Sequence, residues 1–306
     1  MNFKPRITLV DVSERDGLQD EPVVVDTATK AAIASALYGA GIDHIEATSF
    51  VHPRWVPQLA DADALVPLLP RGPRYSALVL NLHGWKRAVA AFEHAGYKPG
   101  EYDLVYVTSA SPRHAAANNN RTIDETLTIF DEVAEASRQH GISLRATIAC
   151  AFVSPWSDET IAEHDVHRAV TRFVAGGARL ITLADTVGRA TPALVASRIA
   201  GLRSAAPNVP LALHLHDSCG YALANVYAGL EAGVHVFEAA LAGLGGCPFA
   251  PDAPGNLDLR RLVAFLDDSG FETGVNGDRL HEAEILVRQA VAAGRPLEAA
   301  AATTHA

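Results

Sequence analysis

The chain predicts an α/β fold, a (β/α)8 TIM barrel of parallel strands with extra C-terminal helices. Three observations point there. Strand-like and helix-like stretches alternate almost end to end, eight strand-like stretches can be counted, and no Gly-x-Gly-x-x-Gly follows the first of them, as an open dinucleotide-binding sheet would carry. The length, 306 residues, suits such a barrel, and no linker or low-complexity segment divides it. We read 1–306 as one domain, with the barrel over about 5–257 and helices over about 258–298.

Each element has a local reason. The first strand is the β-branched run Arg6-Ile-Thr-Leu-Val-Asp-Val. Asp26 caps a helix that continues to about Gly39. His44-Ile-Glu-Ala-Thr is the second strand, and Tyr75-Ser-Ala-Leu-Val-Leu the third, with a helix over Gly84 to Ala95. Asp103-Leu-Val-Tyr-Val-Thr is the fourth, and the helical period from Ile123 to Gln139 stops at Gly141. Ser143 to Ala149 is the fifth, with a helix over Ile161 to Ala175, and Ala178 to Asp185 the sixth, with a helix over Pro192 to Ser204. The run Val209 to Asp217 is the seventh, and Gly233 to Ala239 the eighth, after a helix over Tyr221 to Glu231.

Composition excludes several functions. Acidic residues outnumber basic ones, 35 to 25, with no basic stripe, which argues against nucleic acid as a partner. No apolar run approaches the roughly 20 residues that span a bilayer, so no membrane partner is expected. Met1-Asn-Phe-Lys-Pro-Arg runs into a strand with no leader pattern, and the three cysteines are too few for a disulfide framework. A reducing, cytoplasmic setting is expected, with Cys150 and Cys219 as buried small hydrophobes.

In barrels of this kind chemistry collects at the C-terminal strand ends. There the sequence places Asp11 to Gly17, Glu46, Asp185-Thr186, His214-Leu-His216-Asp217 and, after the eighth strand, Gly243-Leu-Gly-Gly-Cys247-Pro with Gly255-Asn256. On a strand, His214 and His216 share one face, which suits either a metal ion or two hydrogen-bonded core imidazoles. Asp16 would complete a carboxylate and two-imidazole set, with the Asn256 amide as a further oxygen ligand; its other reading is a loop-capping carboxylate. That set favours a divalent cation, Mg or Mn, with Zn or Co as replacements. Arg15 suits an enolate or carboxylate, or else a surface ion pair, and both neighbours face the site only if the loop bends, as Gly17 would allow. Cys247, in a glycine-rich loop, is either a general acid–base or an inert small residue. Lys4, Lys30, Lys86 and Lys98 miss the strand ends, which argues against a Schiff-base enzyme, and no P-loop or Gly-x-Ser-x-Gly elbow is present.

Seven segments, in order, resemble the 3-hydroxy-3-methylglutaryl-CoA lyases. They are Arg15-Asp-Gly-Leu-Gln, Ile45-Glu-Ala-Thr-Ser-Phe-Val, Trp55-Val-Pro-Gln, Leu183-Ala-Asp-Thr-Val-Gly, His214-Leu-His-Asp, Ala242-Gly-Leu-Gly-Gly-Cys-Pro and Gly255-Asn-Leu. The resemblance runs from about Ile7 to Arg295, and the cysteine segment points to the lyase branch rather than to the related condensing synthases. It implies metal-dependent carbon–carbon cleavage of an acyl-CoA substrate to acetyl-CoA and a keto acid (acetoacetate in the type reaction), a place in leucine degradation, and a homodimer. By matching positions it implies Asp16, His214, His216 and Asn256 as metal ligands, Arg15 as the enolate stabiliser and Cys247 in proton transfer. It puts Glu46 and Asp185 among the catalytic residues beside His214, and Gln19 and Thr186 with Arg15 at the substrate.

The chain departs from the family at Asp11-Val-Ser-Glu14, where Glu-Val-Gly-Pro is usual, at Cys150 to Asp158, and at Arg260, where an acid is expected. Asp252 and Pro254 stand where small residues are more usual. These departures bear on the acyl substituent. Asn118 to Arg121 is a candidate loop for the adenine end of CoA. Two other readings share the barrel: condensation of an acyl-CoA with a 2-oxo acid, and a non-catalytic barrel that binds acyl-CoA.

Overall fold

The computed structural model describes residues 6–205, 208–246 and 255–297. Eight strands form a closed barrel: β1 (Thr8–Asp11), β2 (His44–Ser49), β3 (Arg74–Val79), β4 (Tyr102–Ser109), β5 (Ser143–Ala149), β6 (Leu180–Asp185), β7 (Leu211–Leu215) and β8 (Val236–Ala239). Each pairs in parallel with the next, and β8 returns to β1 with Leu9 opposite Phe237. A register shift in β2 falls between Glu46 and Thr48.

The helices α1 (Thr27–Gly39), α2 (Leu82–His94), α3 (Pro112–Asn119), α4 (Ile123–His140), α5 (Glu163–Ala175), α6 (Pro192–Ala205) and α7 (Ala222–Glu231) follow the strands. Asp26 accepts from the Thr29 amide at 3.0 Å, and Thr122 with Glu125 forms a capping box on α4, which ends on left-handed Gly141. The helix α3 is one that periodicity missed. Its signals are local: Ser111 caps it, Pro112 opens it, and left-handed Asn120 ends it. Aromatic rings seal the layer between strands and helices, as where Phe92 stacks on Tyr102 with centroids 4.1 Å apart.

At the N-terminal end of the barrel Asp103 is buried and clamped by two guanidinium groups. Arg74 reaches it through Nε and Nη2 at 2.8 and 2.7 Å, and Arg179 through Nε at 2.8 Å and through Nη2. Beyond the barrel lie α8 (Leu259–Asp268) and α9 (Gly277–Ala293). Arg260 donates to Glu284 at 2.7 Å, and Arg288 holds the same carboxylate. The basic residue that stands for an expected acid therefore ties α8 to α9. Arg295 and Pro296 pair antiparallel with Val24 and Val23.

Cys150 is buried as expected, whereas Cys219 is exposed, because it lies in the turn between β7 and α7 rather than under a helix. Among the described residues no helix is long and apolar enough to cross a membrane.

Candidate active site

The C-terminal rim is built from three pieces of backbone. The first is the segment Ser13–Gly17, directly after β1, which forms one turn of π-helix. The amides of Asp16 and Gly17 both return to the Val12 carbonyl, at 2.8 and 3.0 Å. This turn, not a left-handed glycine, brings the neighbours Arg15 and Asp16 onto one site. Gly17 has no positive φ; a Cβ there would instead press on the Leu244 side chain at 3.0 Å, so glycine serves close packing. The second piece is rigid β7, which places His214 and, one residue past its end, His216. The third is 255–257, which runs antiparallel to the end of β7: Asp217 N donates to Gly255 O at 3.1 Å and Leu257 N to Leu215 O at 2.9 Å. Gly245, at φ +99, closes this wall, since a Cβ there would lie 2.7 Å from Asn256 Nδ2.

The side chains converge. Nε2 of His214 and of His216 lie 3.5 and 3.7 Å from the same oxygen, Asp16 Oδ2. Asn256 donates from Nδ2 to that oxygen at 2.9 Å and to Leu244 O at 2.9 Å, while its buried Oδ1 has no hydrogen-bond partner. Arg15 donates from Nε to Glu46 at 2.5 Å and from Nη1 to Asp16. It is buried here, so the surface ion pair is not its state. Burial alone would raise the Asp16 pKa, but Arg15 and the two imidazoles outweigh it and hold the carboxyl well below its usual range. Burial would lower that of His214, but Asp16 and Glu238 overcome it and push it up to about 10, so this spot attracts positive charge.

Other expected residues lie on neighbouring segments of the rim. Asp185 is buried at the end of β6, where its carboxylate accepts from the Arg189 and Ala190 amides at 3.2 and 2.8 Å; burial raises its pKa. Thr186 is half-buried and accepts from the Cys150 amide at 2.7 Å, which helps hold Cys150 in an uncommon left-handed conformation, φ +52. Gln19 is half-buried just past the π-turn. Cys247, Asp252 and Pro254 lie outside the described residues.

The departure at Asp11 and Ser13 is internally compensated. Ser13 Oγ donates to Asp11 at 2.7 Å and accepts from the Leu241 amide at 2.7 Å, so the hydroxyl fills the reach that the shorter carboxylate lacks. Burial pushes the Asp11 carboxyl up to about 7.

Two residues were missed by sequence reasoning. Glu238, inside β8, accepts from Arg145 Nη2 at 2.5 Å and from Thr182 at 2.8 Å, and lies 3.0 Å from His214 Nδ1. The other is Arg145 itself, and the available signal was one charge inside each of two buried barrel strands, because buried charges require partners.

The residues present fit a divalent cation. Ligand atoms of Asp16, His214 and His216 lie within 4.8 Å of one another, two imidazole nitrogens face one carboxylate oxygen, and Asn256 adds an unpartnered buried amide oxygen. Fold and rim together define a closed parallel barrel that carries a buried cluster of one carboxylate, two imidazoles and a guanidinium at its C-terminal end.

The chain belongs to the HMGL-like family, which it matches over residues 6–287. It is 37% identical over 291 residues to the mitochondrial hydroxymethylglutaryl-CoA lyase of Bos taurus, covering 94% of this chain and 87% of that protein. Among solved structures, the HMG-CoA lyase of Brucella melitensis is 38% identical with a TM-score of 0.87, covering 93% of this chain and 98% of that one. An HMG-CoA lyase from Acinetobacter baumannii in complex with coenzyme A and 3-methylmalate is 34% identical with a TM-score of 0.86, covering 97% and 94%.

Proposed function

We propose that this carbon–carbon lyase cleaves 3-hydroxy-3-methylglutaryl-CoA or a close 3-hydroxyacyl-CoA to acetyl-CoA and a keto acid, acetoacetate in the first case. The observation that carries the reading is the convergence of His214 Nε2 and His216 Nε2 on Asp16 Oδ2, with the Arg15 guanidinium alongside. Asp16, His214, His216 and Asn256 would hold the cation, Mg or Mn, with Zn or Co as replacements. When bound, such a cation supplies Lewis-acid polarisation of the substrate hydroxyl and carboxylate oxygens.

The chemistry is a retro-aldol step. The C3 hydroxyl gives up its proton to a basic side chain of the site, for which Asp185 is the candidate. The C2–C3 bond breaks to leave the C3 carbonyl of the keto acid, and C2 leaves as the acetyl-CoA enolate, which then takes a proton. Glu46 and Asp16 fix Arg15, so its remaining N–H groups are oriented toward the enolate oxygen before charge develops there. Asp185, with its carboxyl raised by burial, is suited to holding a proton beside His216. Cys247 would deliver the proton to C2, and Gln19 and Thr186 would line the acyl group. A thiol in that role must stay reduced, which supports a cytoplasmic setting. The Ser13 and Asp11 exchange and the Arg260–Glu284 pair leave the ligand set intact, which favours the parent substrate. Condensation with an oxo acid has no observation in its favour. The family resemblance supports a homodimer and a place in leucine degradation.

The test is product analysis. Protein incubated with Mg or Mn and 3-hydroxy-3-methylglutaryl-CoA should release acetyl-CoA and acetoacetate, and a chelator should abolish the release. No release with metal bound overturns this substrate.

A further inference from the structure

We propose that Arg145 and Thr182, acting through Glu238, keep a proton on Nδ1 of His214 and so reserve Nε2 for the cation. The inference rests on the reading of His214 as a ligand. Glu238 is buried between four strands. Its Oε1 takes both Arg145 Nη2, at 2.5 Å, and Thr182 Oγ1, at 2.8 Å, while Oε2 faces His214 Nδ1 at 3.0 Å. Arg145 reaches across from β5 to β8, and a guanidinium can only donate. The ion pair with Arg145 keeps Glu238 ionised, so both its oxygens accept and Nδ1 must be the donor to Oε2. The other ring nitrogen is the one 3.5 Å from Asp16. A carboxylate behind a ligating histidine sets ring orientation and tautomer together.

The two imidazoles are not equivalent in this respect. Nδ1 of His216 is buried and has no partner, so nothing behind that ring selects its tautomer. His214 is the pre-set ligand and His216 the adaptable one. Glu238, Arg145 and Thr182 are positioning residues in this scheme.

The test exploits an isostere. In Glu238→Gln the donor-only Arg145 forces the amide oxygen to its own side, which leaves the amide NH2 facing His214. Nδ1 then becomes an acceptor and the proton moves to Nε2. Titration with Mn²⁺ should show affinity reduced by about 10–100-fold in Glu238→Gln. Glu238→Asp, which keeps the acceptor, should retain most of the affinity. A purely structural role predicts the opposite order, since Gln fills the space and Asp does not; thermal melts read that order separately. Long-range ¹⁵N–¹H spectra of the metal-free protein should show a protected Nδ1–H on His214 in the wild type and none in Glu238→Gln. Mn²⁺ affinity in Glu238→Gln within twofold of wild type, or an unchanged Nδ1–H, overturns the proposal. Absence of Mn²⁺ binding in the wild type overturns the ligand reading instead, and the metal-free spectra still show whether Nδ1 carries the proton that faces Glu238.

Discussion

Gly255→Ala is a small change with a large expected effect on the site. A Cβ at Gly255 would lie 2.6 Å from the Gly245 carbonyl carbon and 2.7 Å from the Gly243 oxygen, inside any distance real Cβ atoms tolerate. Both neighbours are backbone, so the strand-like 255–257 segment must move instead. A displacement on the order of 1 Å in a positioning element costs about 100-fold in rate. Asn256 rides on that segment, so metal affinity should fall by about 10–100-fold as well. Stability should change less. Two cross-segment hydrogen bonds, to Asp217 and Leu215, contribute about 1 kcal/mol each, together worth about 3 °C in Tm. Isothermal titration with Mn²⁺ and steady-state cleavage assays measure the first two effects, and calorimetry the third. Gly246→Ala is the control, because among the described residues a Cβ there meets nothing within 4 Å. Wild-type affinity and turnover in Gly255→Ala would refute the claim that close glycine packing places Asn256. Equal damage from Gly246→Ala would refute it too.

Other expectations are simpler to state. His216→Ala should reduce metal affinity by more than about 100-fold while the far-ultraviolet spectrum stays native, as elemental analysis after gel filtration would show. Cys247→Ser should lower kcat by about 100-fold with little change in KM; an unchanged kcat removes the thiol from proton transfer. Asp103→Asn should cost about 2–3 kcal/mol at pH 7, discounted from the buried-pair range because Arg74 and Arg179 are partly exposed. Burial would raise the Asp103 pKa, but the two arginines outweigh it and depress it, so this stabilisation is present above about pH 4 and is lost as pH falls below the unfolded value. Denaturant titrations of wild type and variant should therefore converge in acid.

The barrel was legible because parallel strands buried on both faces read as near-continuous apolar runs that turn polar at the rim, as in Leu211 to Asp217. The histidine pair was legible for a related reason: a two-residue period on a strand admits one face only. Helix ends were marked by caps such as Asp26 and Thr122. The turn that unites Arg15 with Asp16 was not legible. A single π-turn has no periodic signature, and here packing of Gly17 on Leu244, from the far end of the chain, accompanies it. Glu238 was hidden differently. Its guanidinium partner lies 93 residues earlier, and pairing across a barrel interior leaves no trace in local pattern.

The short ladder between Arg295–Pro296 and Val23–Val24 has a mechanical meaning. Leu297 N adds a third tie, to Pro22 O at 3.1 Å. The segment so moored follows closely on Gln19 at the C-terminal rim, whereas Arg6 lies before the start of β1 at the opposite end of the barrel. Force applied at Leu297 is therefore delivered to the segment that adjoins the π-turn of Arg15 and Asp16. A molecule held through Leu297 would turn the C-terminal rim of the barrel toward the support, and one held through Arg6 would turn that rim to solution.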